Sequence, residues 1–213
     1  MSSSDSLNLV ESFYTRIHRE ILDGVFAPGD LLLETVLCKR FGVSRTPIRE
    51  ALGRLAQDGY IERSTRGFRV RLRSPEEILD IYEARIALES TSAALAAERR
   101  TEFDLVRLTH LMDERRTAER PEFKRLNDQW HRALREAAHN TAIADLLGRL
   151  DSLLVIYAAR GAAFSHSDPT VVEHDSILEA VRAGDAEAAR AAMTVHLERM
   201  RDLRVESLAR GTG

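Results

Sequence analysis

The sequence predicts a mainly α-helical fold in two parts: an N-terminal winged helix-turn-helix with a small β-hairpin wing, and a C-terminal all-α antiparallel helical bundle. Three features predict it. Apolar residues recur at helical spacing on either side of the tight break "FGVS" at 41–44. The pattern then turns strand-like in "YIER" and "FRVRL" around the turn "STRG". Beyond "RSP" at 73–75 come long amphipathic segments and no convincing strand. That junction divides the chain into residues 1–73 and 74–213.

Each element has its own signal. Over residues 7–23, Leu9, Phe13, Ile17 and Ile21 make one helical stripe, and Gly24 with "APGD" ends it in a turn. A short helix over about 33–40 follows, with Leu33, Val36 and Leu37 as its apolar face. Gly42 can take the positive φ that the break needs. Ser44 can cap the next helix, whose apolar positions are Ile48, Ala51, Leu52 and Leu55. Pro47 fits there, because the N–H groups of a first helical turn lack intrahelical partners. After residue 75, Ile78, Ile81/Tyr82, Arg85/Ile86 and Leu88/Glu89 keep helical register. Further helices are expected over 102–119, 121–139, 141–163, 169–183 and 185–208, with "AGD" at 183–185 breaking the last two apart.

Composition suits a soluble globular protein of 213 residues, 44% hydrophobic and 31% charged. The formal net charge of −3 excludes a general polyanion binder. Its distribution is uneven. Residues 34–73 hold 10 Lys+Arg against 4 Asp+Glu, and residues 74–213 hold 19 against 25, balances of +6 and −6. Such asymmetry points to a nucleic-acid contact confined to the N-terminal third. Cys38 is the sole cysteine, which excludes an intrachain disulfide and a cysteine-based metal site. No stretch approaches the roughly 18 apolar residues of a membrane span, and "MSSSDSLNLV" lacks the pattern of a signal peptide. A reducing cytoplasm is the expected compartment.

If Ile48, Ala51, Leu52 and Leu55 face the core, Arg45, Thr46 and Arg49 point outward, with the two arginines four apart on one face. The start of the second helix of such a motif enters the major groove. There, arginine can bond guanine O6 and N7 in bidentate fashion, and threonine can bond a phosphate or a base edge. The wing adds Arg66 and Gly67, the glycine permitting close approach to a sugar-phosphate edge. The competing reading, a solvated face paired with acids such as Glu50, gives way because helix, turn, wing and local charge agree.

The run "GVSRTPIREALGRLAQDGYIERSTRGFRV" strongly resembles the DNA-binding domain of the GntR family of bacterial transcription regulators. With "ILDGVFAPGDLLLETVLCKRF" ahead of it, the resemblance spans about residues 10–72 without a gap. It implies operator binding by Ser44, Arg45, Thr46, Arg49, Arg66, Gly67 and the residue at 35. Family members often carry an arginine at that last position, directly after the glutamate corresponding to Glu34. Here Thr35 stands there, so the helix holding Arg45, Thr46 and Arg49 is expected to carry more of the base readout.

The helical tail, roughly 76–210, resembles the FadR-type ligand-binding domain called FCD. Within it, Asn127 and His131 lie four apart on one helical face. His174 precedes Gly184 by ten residues and His196 follows it by twelve, so an antiparallel hairpin brings these two together. Three imidazoles and one oxygen suit a divalent transition metal such as zinc or nickel. The resemblance supports this set, because metal-binding members have histidines in these contexts. They more often have aspartate where Asn127 stands, and Asp128, about 100° round the helix, is a poor substitute. Neutral histidines and an amide leave the ion's charge uncompensated, a deficit that a carboxylate effector supplies. Arg85 matches an arginine that in the family often holds an acidic ligand; its alternative role is an ion pair with Glu89. His18, His110, His139 and His166 read as ordinary hydrogen-bonded or surface residues.

These readings imply a homodimeric, ligand-responsive regulator, probed against two rivals. One is a metal-dependent enzyme in the helical part, disfavoured because the sequence has no HExxH, nucleophile elbow or phosphate loop. The other is a regulator with a metal-free effector pocket, which Asn127 keeps open.

Overall fold

The computed structural model describes residues 3–119, 122–158 and 169–209. In chain order they form α1 (Ser3–Leu22), β1 (Leu31–Leu32), α2 (Glu34–Phe41), α3 (Arg45–Gln57), β2 (Ile61–Ser64) and β3 (Gly67–Val70). There follow α4 (Pro75–Arg99), α5 (Glu102–Thr117), α6 (Glu122–Ala137), α7 (Thr141–Ala158), α8 (Pro169–Ala183) and α9 (Ala186–Ala209). The mainly helical architecture is the one expected. Of the helix expected over 141–163, residues 159–163 lie outside the described residues, as do His166 and residue 121 of the helix expected over 121–139.

Residues up to Ser74 form one compact unit together with the segment that begins at Ser152. Its core takes Val10, Phe13, Ile17 and Ile21 from α1; Val10 is buried where Leu9 was expected, and Leu9 is partly buried beside it. From α3 come Ile48, Ala51, Leu52 and Leu55, all at 0% exposure. Burying the three larger of these side chains stabilises the unit by about 2 kcal/mol each. That anchorage fixes which face of α3 meets solvent. Ile156 and Tyr157 of α7 pack in the same unit, and Tyr157 Oη donates to the Arg71 carbonyl at 2.5 Å.

The expected hairpin is present, with Ile61 opposite Val70 and Ser64 opposite Gly67. A third strand, β1, adds to it: Leu31 pairs with Arg69 and Leu32 with Phe68, giving the order β1-β3-β2. Two residues are too few to show alternation, so "LLLE" carries no strand signal on its own. The third strand also explains Gly67. Its φ is +134°, and a β-carbon there would stand 3.0 Å from the Leu32 carbonyl oxygen. The sheet itself therefore requires a glycine, independent of any sugar-phosphate edge. Gly67→Ala is expected to cost about 1–3 kcal/mol, which lowers the melting temperature by several degrees in a chain of this size. A melt unchanged from wild type would remove the argument.

Ser44 needs a correction. It occupies the N-cap of α3 in extended conformation, but its side chain makes no cap hydrogen bond. A cap oxygen normally bonds the second or third helical N–H, and Pro47 is the third helical residue and has none. Gly42 behaves as expected, closing α2 with φ +68°.

The second unit comprises Pro75–Asp151 and the segment from Gly161 onward. The first half of α4 buries Ile78 and Ile81; its second half buries Ala93, Ala96 and Ala97, which share a core with Leu108, Met112, Trp130, Ile177, Met193 and Leu197. Small residues on α4 let its neighbours approach closely. Thr101 and Asp104 form a reciprocal capping box at the start of α5.

Candidate DNA-reading face and histidine cluster

On α3, Arg45, Thr46 and Arg49 are exposed while the four apolar residues behind them are buried, so the predicted outward face is the observed one. Several of the neighbouring basic side chains are engaged. Arg40 pairs with Glu20 at 2.8 Å, Arg54 with Glu11 at 2.7 Å, and Arg69 with Glu62 at 3.4 Å. Arg49 pairs with Glu34 at 3.0 Å, and not with Glu50 as its competing reading supposed. Among the described residues, Arg45 and Arg66 have no acidic partner, and both are exposed. Thr35 is exposed at the start of α2, and Ser44 is exposed at the start of α3. What the sequence reading missed here is Glu34. Its carboxyl is held below the ordinary range, first by the hydrogen bond from Arg49, with Arg45 and Arg63 adding to the effect against a small cost of burial.

In the helical unit, the two helices flanking Gly184 fold back as expected. His131 of α6, His174 of α8 and His196 of α9 are buried, and one ring nitrogen of each lies within 4.8 Å of the others. Asn127 stands one turn before His131, half-buried. Asp128 is exposed and pairs with Lys124 at 3.0 Å, consistent with its dismissal as a ligand.

The partners around the cluster assign the tautomers. His196 Nδ1 faces Glu173 Oε2 at 2.7 Å, so it donates and leaves Nε2 as an acceptor. Arg115 donates to His174 Nδ1, which places the His174 proton on Nε2, 3.2 Å from His196 Nε2. Trp130 stacks on the His174 ring at 4.3 Å. Burial, followed by the neighbouring histidines and Arg115, pushes His174 well below the usual imidazole range. His196 is also lowered, by burial first and against the pull of Glu173. Glu173 itself pays for burial, yet hydrogen bonds from His196 and Arg199 bring it down to about 2.

His131 Nδ1 is buried with no hydrogen-bond partner and lies 3.7 Å from Glu89 Oε2. Glu89 is fully buried and also takes ion pairs from Arg85, at 2.9 Å, and from Arg135. Asp151 completes the group, 3.3 Å from Arg85 and 2.5 Å from Arg135. Arg85 thus makes the pair with Glu89 that its spacing allowed, and a second pair with Asp151. Glu173, Arg115, Arg135 and Asp151 were not singled out from the sequence. Only "EH" at 173–174 offered a signal, a carboxylate beside a candidate ligand.

The donor set fits a borderline divalent cation in part. His196 has a carboxylate behind it, as metal-bound histidines commonly do, and His131 has an orphaned nitrogen near one. His174 fits less simply, because a guanidinium cannot accept its proton; ligation through Nε2 requires that the Arg115 contact rearrange. Among the described residues, His110 and His139 are surface residues as expected, whereas His18 has a buried Nε2 without a hydrogen-bond partner. His18 packs 4.3 Å from the Tyr60 ring, His110 lies 3.4 Å from Glu114, and His139 Nε2 is 3.1 Å from Asp104.

Among the described residues, no helix is long and apolar enough to cross a membrane. Residues 9–70 match the family described as bacterial regulatory proteins, gntR family, and residues 80–199 match the FCD domain. The chain is 32% identical to the HTH-type transcriptional regulator YdhC of Bacillus subtilis, over 86% of this chain and 85% of that protein. It is 30% identical to the HTH-type transcriptional repressor RspR of Escherichia coli, over 92% of this chain and 91% of that one. In fold it is similar to E. coli McbR/YncC, with a TM-score of 0.75 at 20% identity over 98% of this chain and all of that one. YdhC and RspR are named as regulators of transcription, not as enzymes. With both halves matched and two relatives aligned over most of their length, the chain belongs to the GntR family of bacterial transcription regulators, an HTH domain joined to an FCD domain.

Proposed function

We propose that the chain is a ligand-responsive regulator of the FadR type, binding a pseudo-palindromic operator in double-stranded DNA as a homodimer and repressing from it. The observation that carries this is the outward start of α3: Arg45, Thr46 and Arg49 are exposed over a buried apolar anchor. Ser44, Thr35, Arg66 and Gly67 flank that face as further contacts to phosphates or base edges. Dimerisation follows from the mechanism, since one small domain reads few bases and paired half-sites supply affinity and specificity. The relative RspR is named a repressor, which supports repression here. Selection of duplexes from a random pool by the full-length protein tests the proposal. Two related half-sites about ten base pairs apart, or a multiple of that, are expected; a pool that stays random overturns it.

In the helical unit we infer a divalent transition metal, zinc or nickel, held by His131, His174, His196 and the amide oxygen of Asn127. When bound, such an ion attracts and orients a small organic acid, the anion that the neutral donor set lacks. Arg85 is the protein's own contact to that effector, exchanging Asp151 for the ligand's carboxylate. Elemental analysis of untagged protein is expected to give about one equivalent per chain, lost in His131→Ala and in His196→Ala. Less than about half an equivalent, unchanged by either substitution, would sink the metal.

A second reading, an effector pocket without metal, has an observation of its own. Arg115, His174, His196 and Glu173 form a hydrogen-bond chain that is complete without a cation. The same analysis separates the two readings.

A further inference from the structure

Glu34 is a carboxylate beside Arg49, with Arg45 and Arg63 also near enough to act on its charge, on the face assigned to DNA. It opens α2, where the helix dipole favours a negative charge. Its side chain is 22% exposed, whereas that of its partner Arg49 is 63% exposed. The contact is specific in its geometry. Arg49 Nε lies 3.2 Å from Oε1 and 3.3 Å from Oε2, and Nη2 lies 3.0 Å from Oε2. Glu34 therefore holds the lateral edge of the guanidinium, the one formed by Nε and Nη2. The terminal edge, formed by Nη1 and the second hydrogen of Nη2, has no partner among the described residues. That edge presents two parallel N–H groups, the fork that guanine O6 and N7 accept.

We propose that Glu34 is a positioning residue for base readout: it grips one edge of the Arg49 guanidinium and so presents the other, fully charged, to a guanine in the major groove. This rests on the reading of α3 as the groove-entering helix. The physical reason is conformational. An exposed arginine samples many rotamers and pairs with whichever phosphate is nearest, which gives affinity without sequence information. A carboxylate bound to its side removes most of those alternatives and repels phosphate from the same spot. Arg45, without such a partner, remains available to phosphate or base alike.

The test uses the full-length chain and a duplex that wild-type protein has enriched from a random pool, with an unselected duplex of equal length as reference. Affinities are measured at low salt, where weakened complexes remain measurable. Glu34→Gln keeps the shape and removes the charge. It is expected to lower the ratio of selected to unselected affinity about tenfold, while affinity for the unselected duplex stays level or rises. The loss concentrates at the base whose preference Arg49→Ala also flattens. In an Arg49→Ala background, Glu34→Gln adds nothing at that base, because it acts through the missing side chain. The proposal is overturned by a Glu34→Gln protein that keeps full preference there, or by a loss of the same size in both backgrounds. Failure to enrich any duplex would instead reject the DNA reading on which it rests.

Discussion

Arg49→Ala is expected to remove sequence-specific DNA binding and leave the fold untouched. A bidentate arginine–guanine contact carries about 1–3 kcal/mol of discrimination. Bound as the proposed homodimer, the protein loses it in both half-sites, so the selected duplex should bind at least about thirtyfold more weakly. The folded state has little at stake. Arg49 is exposed, and its ion pair with Glu34 is partly solvated, so the melting temperature should stay within about 2 °C of wild type. Binding to unselected DNA should fall far less, since only one of several cationic contacts per protomer has gone. Mobility shifts on selected and unselected duplexes measure both numbers. Equal affinity of variant and wild type for the selected duplex would reject α3 as the reader.

Glu89→Ala should be among the most destabilising single changes in the helical unit. Glu89 is fully buried, and two arginines are committed to it, with side-chain exposures of 16% for Arg85 and 8% for Arg135. Burial opposes its charge, and His131, Arg85 and Arg135 together overcome that and hold the carboxyl well below its ordinary range. Removing one partner of a buried ion pair leaves the others desolvated without compensation, at about 3–5 kcal/mol. Asp151 still serves both arginines, which puts the expectation near the lower end, about 3 kcal/mol. At about 2–4 °C per kcal/mol for a chain of this size, the melt should fall by roughly 6–12 °C. The double variant Glu89→Leu/Arg135→Met is expected to recover much of the loss, since apolar side chains of similar volume replace the charges and Arg85 keeps Asp151. A Glu89→Ala protein as stable as wild type, by heat or by denaturant, would show that the network contributes nothing.

Much of the fold was legible because its signals are local. The apolar spacing of Ile48, Ala51, Leu52 and Leu55 places α3 on its own, and the switch to "YIER" and "FRVRL" places the wing. Strand β1 was not legible, because its two residues are held by pairing with β3 from more than thirty positions away. The Ser44 cap failed for a local reason that was on the page, the missing N–H of Pro47. The approach of His174 to His196 could be anticipated from distances to Gly184, since a hairpin about a tight turn converts similar spacings into proximity. His131 joined the set through the family resemblance. The surroundings of the cluster could not be anticipated. Glu173 approaches His196 from across the α8–α9 pair, Arg115 approaches His174 from α5, and Glu89 approaches His131 from α4. Such long-range partners are set by packing angles that no spacing encodes. Glu34 lies between these cases: it was visible in the sequence only as the neighbour of a missing arginine.

Helix α7 changes what counts as the N-terminal module. Thr141–Asp151 belongs with the helical unit, yet the residues after it belong with the first: Ile156 is buried in that core, and Tyr157 ties down Arg71. The first unit is thus not a continuous stretch of chain. A fragment cut at Ser74 would carry α3 and the wing but would lack one wall of its own interior. Excised or grafted onto another effector domain, it would behave as an incomplete part, short of a plug that arrives eighty residues later in the chain.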